Sequence, residues 1–146
     1  MGDDIPKIVN RLIKKHGTND PFELCKFLDY NVLFCDLPNC TNGFYQYVLR
    51  NNIIYINNER SEREQRIICG HELGHGILHK RTNTIYLDSR TFIKTGVYEI
   101  EADRFNAEML IREDIKEFEG LCSSQIADCL NLTENLVNLK FRNPNI

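Results

Sequence analysis

Apolar residues recur near the start of the chain at Ile5, Ile8, Val9, Leu12 and Ile13, the three-and-four spacing that lines one face of a helix. Gly17 can supply the left-handed residue that closes such a helix, so the spacing predicts an amphipathic helix from Ile5 to Lys15. Asp20-Pro21-Phe22-Glu23 starts another, with a capping side chain, a proline in the first turn and an acid three residues after the cap. Phe22, Leu24, Cys25, Phe27 and Leu28 are its apolar residues.

The period then shortens. Asn31 to Leu37 reads as a strand, and Gly43 to Arg50 with Ile53 to Ile56 reads as a hairpin joined at Asn51-Asn52, whose residues tolerate left-handed backbone. A small antiparallel sheet is expected.

Helical spacing returns after Ser61-x-x-Glu64, a capping box that opens a stretch running to about Lys80 with Ile67, Ile68, Leu73, Ile77 and Leu78 as its apolar positions. Gly70, Gly74 and Gly76 each weaken a helix by about 0.5–1 kcal/mol relative to Ala. Close packing of a neighbouring element at Gly70 and Gly74, with metal binding adding folding energy, is the expected compensation. A second helix spans Tyr98 to Leu110, with Ala102, Phe105 and Met109 inward and Ala107 and Leu110 beside them. Arg81 to Thr95 links the two without clear periodicity. Ser123 to Arg142 reads as two short helices about Asn131-Leu132-Thr133, with Ile126, Ala127, Leu130, Leu136, Val137 and Leu139 inward. Their pattern is like a helix-turn-helix, but only Lys140 and Arg142 are basic, which favours a helical hairpin over a DNA-reading unit.

Composition narrows the function classes. At 146 residues and 42% hydrophobic content the chain fits one globular domain, residues 1–146, with the C-terminal hairpin (about 121–142) part of it. The formal net charge of −3 offers no global positive field for nucleic acid or an anionic membrane, so a protein partner fits better. No stretch approaches the roughly 18 to 20 apolar residues of a membrane span. Six cysteines without a Cys-x-x-Cys pair, behind an acidic Met1-Gly2-Asp3-Asp4 start, are read as free thiols in a reducing, cytoplasmic compartment. Cys122 and Cys129 are seven apart and fit one apolar helix face.

The chemistry is concentrated in His71-Glu72-Leu73-Gly74-His75. Histidines four apart share a helix face and rise about 6 Å, so two imidazoles can converge on one ion. Glu72 flanks that ion, where its carboxylate can act as general base toward a water the ion acidifies. Catalytic zinc takes three protein ligands and keeps a fourth position open, so a third donor is needed. The extended motif with a third histidine is excluded, since Leu78 and Arg81 stand where its Gly and His belong. On a straight helix His79 lies about 12 Å from His71, too far to share the ion, and reads as a supporting residue.

The better third donor comes from the second helix. Glu99 and Asp103 are four apart on one face, so Glu99 can ligate while Asp103 accepts a hydrogen bond from a ligand histidine; Glu101 is the second choice as ligand. Tyr86 and Tyr98 are candidate donors to the oxyanion that peptide hydrolysis develops.

His-Glu-Leu-Gly-His followed by Glu-x-x-Ala-Asp-x-Phe-x-Ala resembles the ImmA/IrrE family of metallo-endopeptidases. The resemblance extends upstream to Asp20-Pro21-Phe22-Glu23 and Gly43-Phe44-Tyr45 and covers roughly Pro21 to Leu139; Met109-Leu110-Ile111-Arg112 departs from the family's frequent Leu-Leu-Met-Pro. It implies one Zn2+ held by His71, His75 and Glu99, with Glu72 as base. It also implies cleavage of a phage-type helix-turn-helix repressor, releasing genes of a mobile element or a stress response. The expected fold class is α+β, a small antiparallel sheet packed on helices with a zincin-like helix pair carrying the metal. A non-cleaving zinc-binding antagonist or sensor of a repressor is the alternative; a purely structural zinc site would favour four closed, cysteine-rich ligands.

Overall fold

The computed structural model describes residues 4–80 and 92–141. Helix α1 (Ile5–His16) ends at Gly17, whose φ of 71° is the left-handed cap expected there. Helix α2 (Pro21–Phe27) is capped by Asp20, whose side chain accepts a hydrogen bond from the Glu23 N–H. Strands β1 (Tyr30–Cys35), β2 (Gly43–Val48) and β3 (Asn51–Asn57) follow, then helices α3 (Glu62–Leu78) and α4 (Phe92–Leu110). A 3-10 turn at Ile115–Phe118 leads to the hairpin of α5 (Ser123–Leu130) and α6 (Glu134–Phe141). The class is α+β.

The sheet is mixed rather than antiparallel. Its order is β1-β3-β2, with β1 parallel and β2 antiparallel to β3. The strand carrying Ile53-Ile54-Tyr55-Ile56 takes the centre, where a near-continuous apolar run is best buried. The hairpin turn also falls two residues earlier than Asn51-Asn52. Leu49 and Arg50 form it, at φ 50° and 66°, because pairing Tyr45 with Ile54 puts both fully buried side chains on the core face. Helix α4 begins six residues before Tyr98, continuing through Thr95 and Gly96, poor helix formers that hid its start. Cys122 caps α5 rather than packing inward, and it and Cys129 are both exposed.

Helix α3 is starved of side chains where others press on it. A Cβ at Gly70 would collide with Asn106 and Met109 of α4, and one at Gly74 would crowd Phe105 and Ala102. On another face a Cβ at Gly76 would strike Tyr30 and Tyr45 of the sheet. The glycines therefore exchange intrinsic helix propensity for contact between α3, α4 and the sheet. Asn106 is fully buried and donates from Nδ2 to the Ile67 carbonyl at 2.9 Å, tying the two helices together. Asn19 donates to the Met109 carbonyl at 3.0 Å, satisfying one of the acceptors exposed at the end of α4.

Candidate metal and catalytic site

Ser61 starts α3 by accepting a hydrogen bond from the Glu64 N–H, which sets the register of the helix that carries His71, Glu72 and His75. These three offer donor atoms within 4.8 Å of one another. Glu99 reaches them from α4. Its carboxylate oxygens lie 3.0 Å from His71 Nε2 and 2.8 Å from His75 Nε2, so both rings turn the same nitrogen toward one carboxylate.

The other ring nitrogens are engaged behind. Asp103 Oδ1 is 2.8 Å from His71 Nδ1, and His79 Nδ1 is 3.2 Å from His75 Nδ1. Two imidazole nitrogens and one carboxylate oxygen, all directed inward, are a donor set that suits catalytic zinc. Glu101 turns away from this point and meets His79 Nε2 at 3.2 Å, so the structure brings Glu99, not Glu101, between the two histidines.

The charges follow from these contacts. Burial alone would lower the His71 pKa, but the hydrogen bonds to Asp103 and Glu99, with the charge of Glu72, override it and hold the ring at about 10. Burial would raise the Glu99 carboxyl, yet hydrogen bonds from both histidines keep it well below the usual carboxylate range. Burial pulls His79 below its ordinary value, outweighing its bond to Glu101.

A cleft of about 470 Å³ opens on this cluster, lined by His71, Glu72, Glu99 and Asp103 on one side and by Cys40 to Phe44 on another. Glu72 is 6% exposed, a carboxylate set into the cleft wall. The facing wall was not legible beforehand. Asn57, fully buried, donates to the carbonyl of Thr41 at 2.9 Å, while Arg60 donates to Asn42 Oδ1 at 2.9 Å and the Asn39 carbonyl at 2.6 Å. Two residues beyond the end of the apolar run thus pin the loop that faces the histidines; the Asn57-Asn58-Glu59-Arg60 cluster itself was the only signal.

Tyr98 packs its ring against His79, with centroids 4.2 Å apart, and does not line the cleft. Tyr86 lies outside the described residues. Lys140 of the C-terminal hairpin pairs with Glu108 at 2.7 Å, spending one of the two basic residues a DNA-reading helix would need.

Residues 25–119 match the family model described as the IrrE N-terminal-like domain, Peptidase_M78. The chain is 41% identical over 107 residues, 73% of its length and 68% of the relative's, to "Uncharacterized immunity region protein 2" of Bacillus phage phi105. It is 28% identical over 137 residues, 90% of its length and 80% of the relative's, to "Metallopeptidase ImmA" of Bacillus subtilis strain 168.

Proposed function

Because the chain belongs to the ImmA/IrrE family of metallopeptidases, we propose that it is a zinc-dependent endopeptidase acting on a protein of a phage-type immunity system. The observation that carries the reading is the convergence of His71 Nε2 and His75 Nε2 on Glu99 at 3.0 and 2.8 Å, beside Glu72 in one cleft. His71, His75 and Glu99 would hold one ion, leaving a position toward the cleft. Bound zinc supplies Lewis acidity to water and to the scissile carbonyl.

The chain's own residues do the rest. Glu72 accepts the proton of the attacking water and returns it to the leaving amine, as a buried carboxylate beside the ligands is suited to do. Asp103 holds the His71 ring with its Nε2 inward. The sheet order leaves one edge of β2 without a strand partner among the described residues, and Gly43 and Phe44 of that strand line the cleft. An extended peptide can pair with such an edge along its backbone, which supports cleavage within a chain rather than at its end.

A helix-turn-helix repressor is the substrate we propose, since one relative is named for a phage immunity region. The cytoplasm suits that target and the free cysteines. No helix among the described residues is long and apolar enough to cross a membrane.

The test is to incubate zinc-loaded protein with a repressor encoded beside its gene and follow fragments by mass spectrometry. Wild type should yield discrete fragments and Glu72→Gln, still zinc-loaded, none. A repressor left intact yet released from its operator by both proteins would reject proteolysis in favour of a non-cleaving antagonist.

A further inference from the structure

The two walls of the cleft differ in what they can offer a peptide backbone. The α3–α4 side is rich in carboxylates, at Glu72, Glu99 and Asp103, and among the described residues no Lys or Arg lines the cleft. Donors to peptide carbonyls have to come from the facing wall. Cys40 and Thr41 supply a thiol and a hydroxyl that lie 3.8 Å from each other, and Asn42 supplies an amide. We infer that Asn42 donates from its side-chain amide to a backbone carbonyl of the bound peptide beside the scissile bond, and that Arg60 is the positioning residue that aims it.

An amide side chain has a donor end and an acceptor end, and its neighbours decide which end points where. Arg60 Nε lies 2.9 Å from Asn42 Oδ1, and a guanidinium only donates, so the oxygen belongs on that side. The Nδ2 group, with two N–H donors, makes no hydrogen bond to any described residue. Asn42 is exposed, so in the free protein water satisfies that group. A peptide that displaces the water must offer an acceptor in its place or leave the donor unsatisfied.

The amide is carried on a braced segment. The Thr41 N–H donates to the Pro38 carbonyl at 2.8 Å, and the Asn57 N–H donates to the Asn42 carbonyl at 2.9 Å. Arg60 ties the same segment down through the Asn39 carbonyl. The next residue, Gly43, is pressed so closely on α3 that a Cβ there would lie 2.8 Å from Ile68 Cγ2, and Ile68 is one turn before Glu72. The fold therefore sets the spacing between the amide and the catalytic carboxylate before substrate binds, so the donor needs no reorganisation. Asn42 also immediately precedes β2, which places a side-chain donor where the backbone pairing of an added peptide strand would begin.

This assignment rests on the peptidase reading, and the experiment separates the two. Zinc-loaded full chain is titrated calorimetrically with acetohydroxamate, which carries the chelating group alone. It is then titrated with N-acetyl-Leu-Leu hydroxamate and succinyl-Leu-Leu hydroxamate, which extend a peptide to one side or the other of that group. Wild type should bind at least one of the longer hydroxamates more tightly than acetohydroxamate. Asn42→Ala should lose that longer hydroxamate about 10-fold, the worth of one hydrogen bond, and acetohydroxamate not at all. Asn42→Asp keeps the shape and the bond from Arg60 but turns the donor into an acceptor, so it should melt no lower than wild type and show the same loss. Arg60→Met should lose part of the affinity in an otherwise wild-type chain and nothing further when added to Asn42→Ala. Unchanged affinity of Asn42→Ala for both longer hydroxamates would overturn the role of Asn42 while leaving the peptidase reading intact. Longer hydroxamates that wild type binds no better than acetohydroxamate would overturn both.

Discussion

Asp103 Oδ1 lies 2.8 Å from His71 Nδ1, on the opposite side of the ring from the Nε2 atom that meets Glu99. One residue of α4 therefore orients the ring while another, a turn earlier, shares its target. Asp103→Ala should lower zinc affinity by about 10–100-fold without unfolding the chain. Asp103→Asn, which keeps an acceptor oxygen, should lose less. Chelator competition on both variants decides it, and equal affinities for Asp103→Ala and wild type would remove Asp103 from the site.

The protonation of His71 has a pH signature in protein stripped of metal. Its folded pKa of about 10 lies above the ordinary 6.5, so the folded state holds the proton more tightly than the unfolded chain does. The stabilisation is complete below about 6.5 and is lost as pH rises through about 10. The melting temperature of stripped protein should fall between pH 7 and 10, and less so in His71→Gln. Zinc binding at pH 7 should displace about one proton from His71, read by calorimetry in buffers of different ionisation enthalpy.

Gly70→Ala sets two effects against each other. Alanine raises helix propensity by about 1 kcal/mol, but its Cβ collides with the buried amide of Asn106, which cannot move without breaking its bond to Ile67. Overpacking of this kind costs about 1–3 kcal/mol, so a net loss of stability is expected. A higher melting temperature for Gly70→Ala would show that α3 and α4 are less tightly joined.

The Leu49-Arg50 turn predicts a gain instead. Both residues hold left-handed backbone, which costs non-glycine residues roughly 1–2 kcal/mol each, and Leu49 is 88% exposed. Replacing the pair with Asn-Gly, which favours a two-residue turn with positive φ at both positions, should stabilise the protein by about 1 kcal/mol or more. Neither residue lines the cleft, so zinc affinity should be unchanged. Denaturant unfolding and the same chelator assay test both halves.

Local signals accounted for what is local. Gly17, Asp20 and Ser61 announced helix ends through their own chemistry, and the costly glycines of α3 announced that something leans on that helix. The pairing of β1 with β3 was hidden because alternation says which face a residue takes, not which strand lies beside it. Asn51-Asn52 looked like the better turn on residue preference, and burial of Tyr45 and Ile54 outweighed it. Spacing brought Glu99 and Asp103 onto one face, but the use of Glu101 depended on how α3 ends at His79, which no periodicity encodes.

The mixed sheet also bears on the order in which the molecule assembles. The β2–β3 pair closes across the two-residue turn at Leu49-Arg50, whereas β1 must find β3 across the intervening chain, with Tyr30 opposite Asn52. Local closure is the faster event, so the hairpin forms before β1 docks. Tyr30 of β1 and Tyr45 of β2 both sit against Gly76, one residue after His75, so the arrival of β1 completes a footing for the motif helix that the hairpin has already begun. A chain slowed at that step would wait with that footing half built.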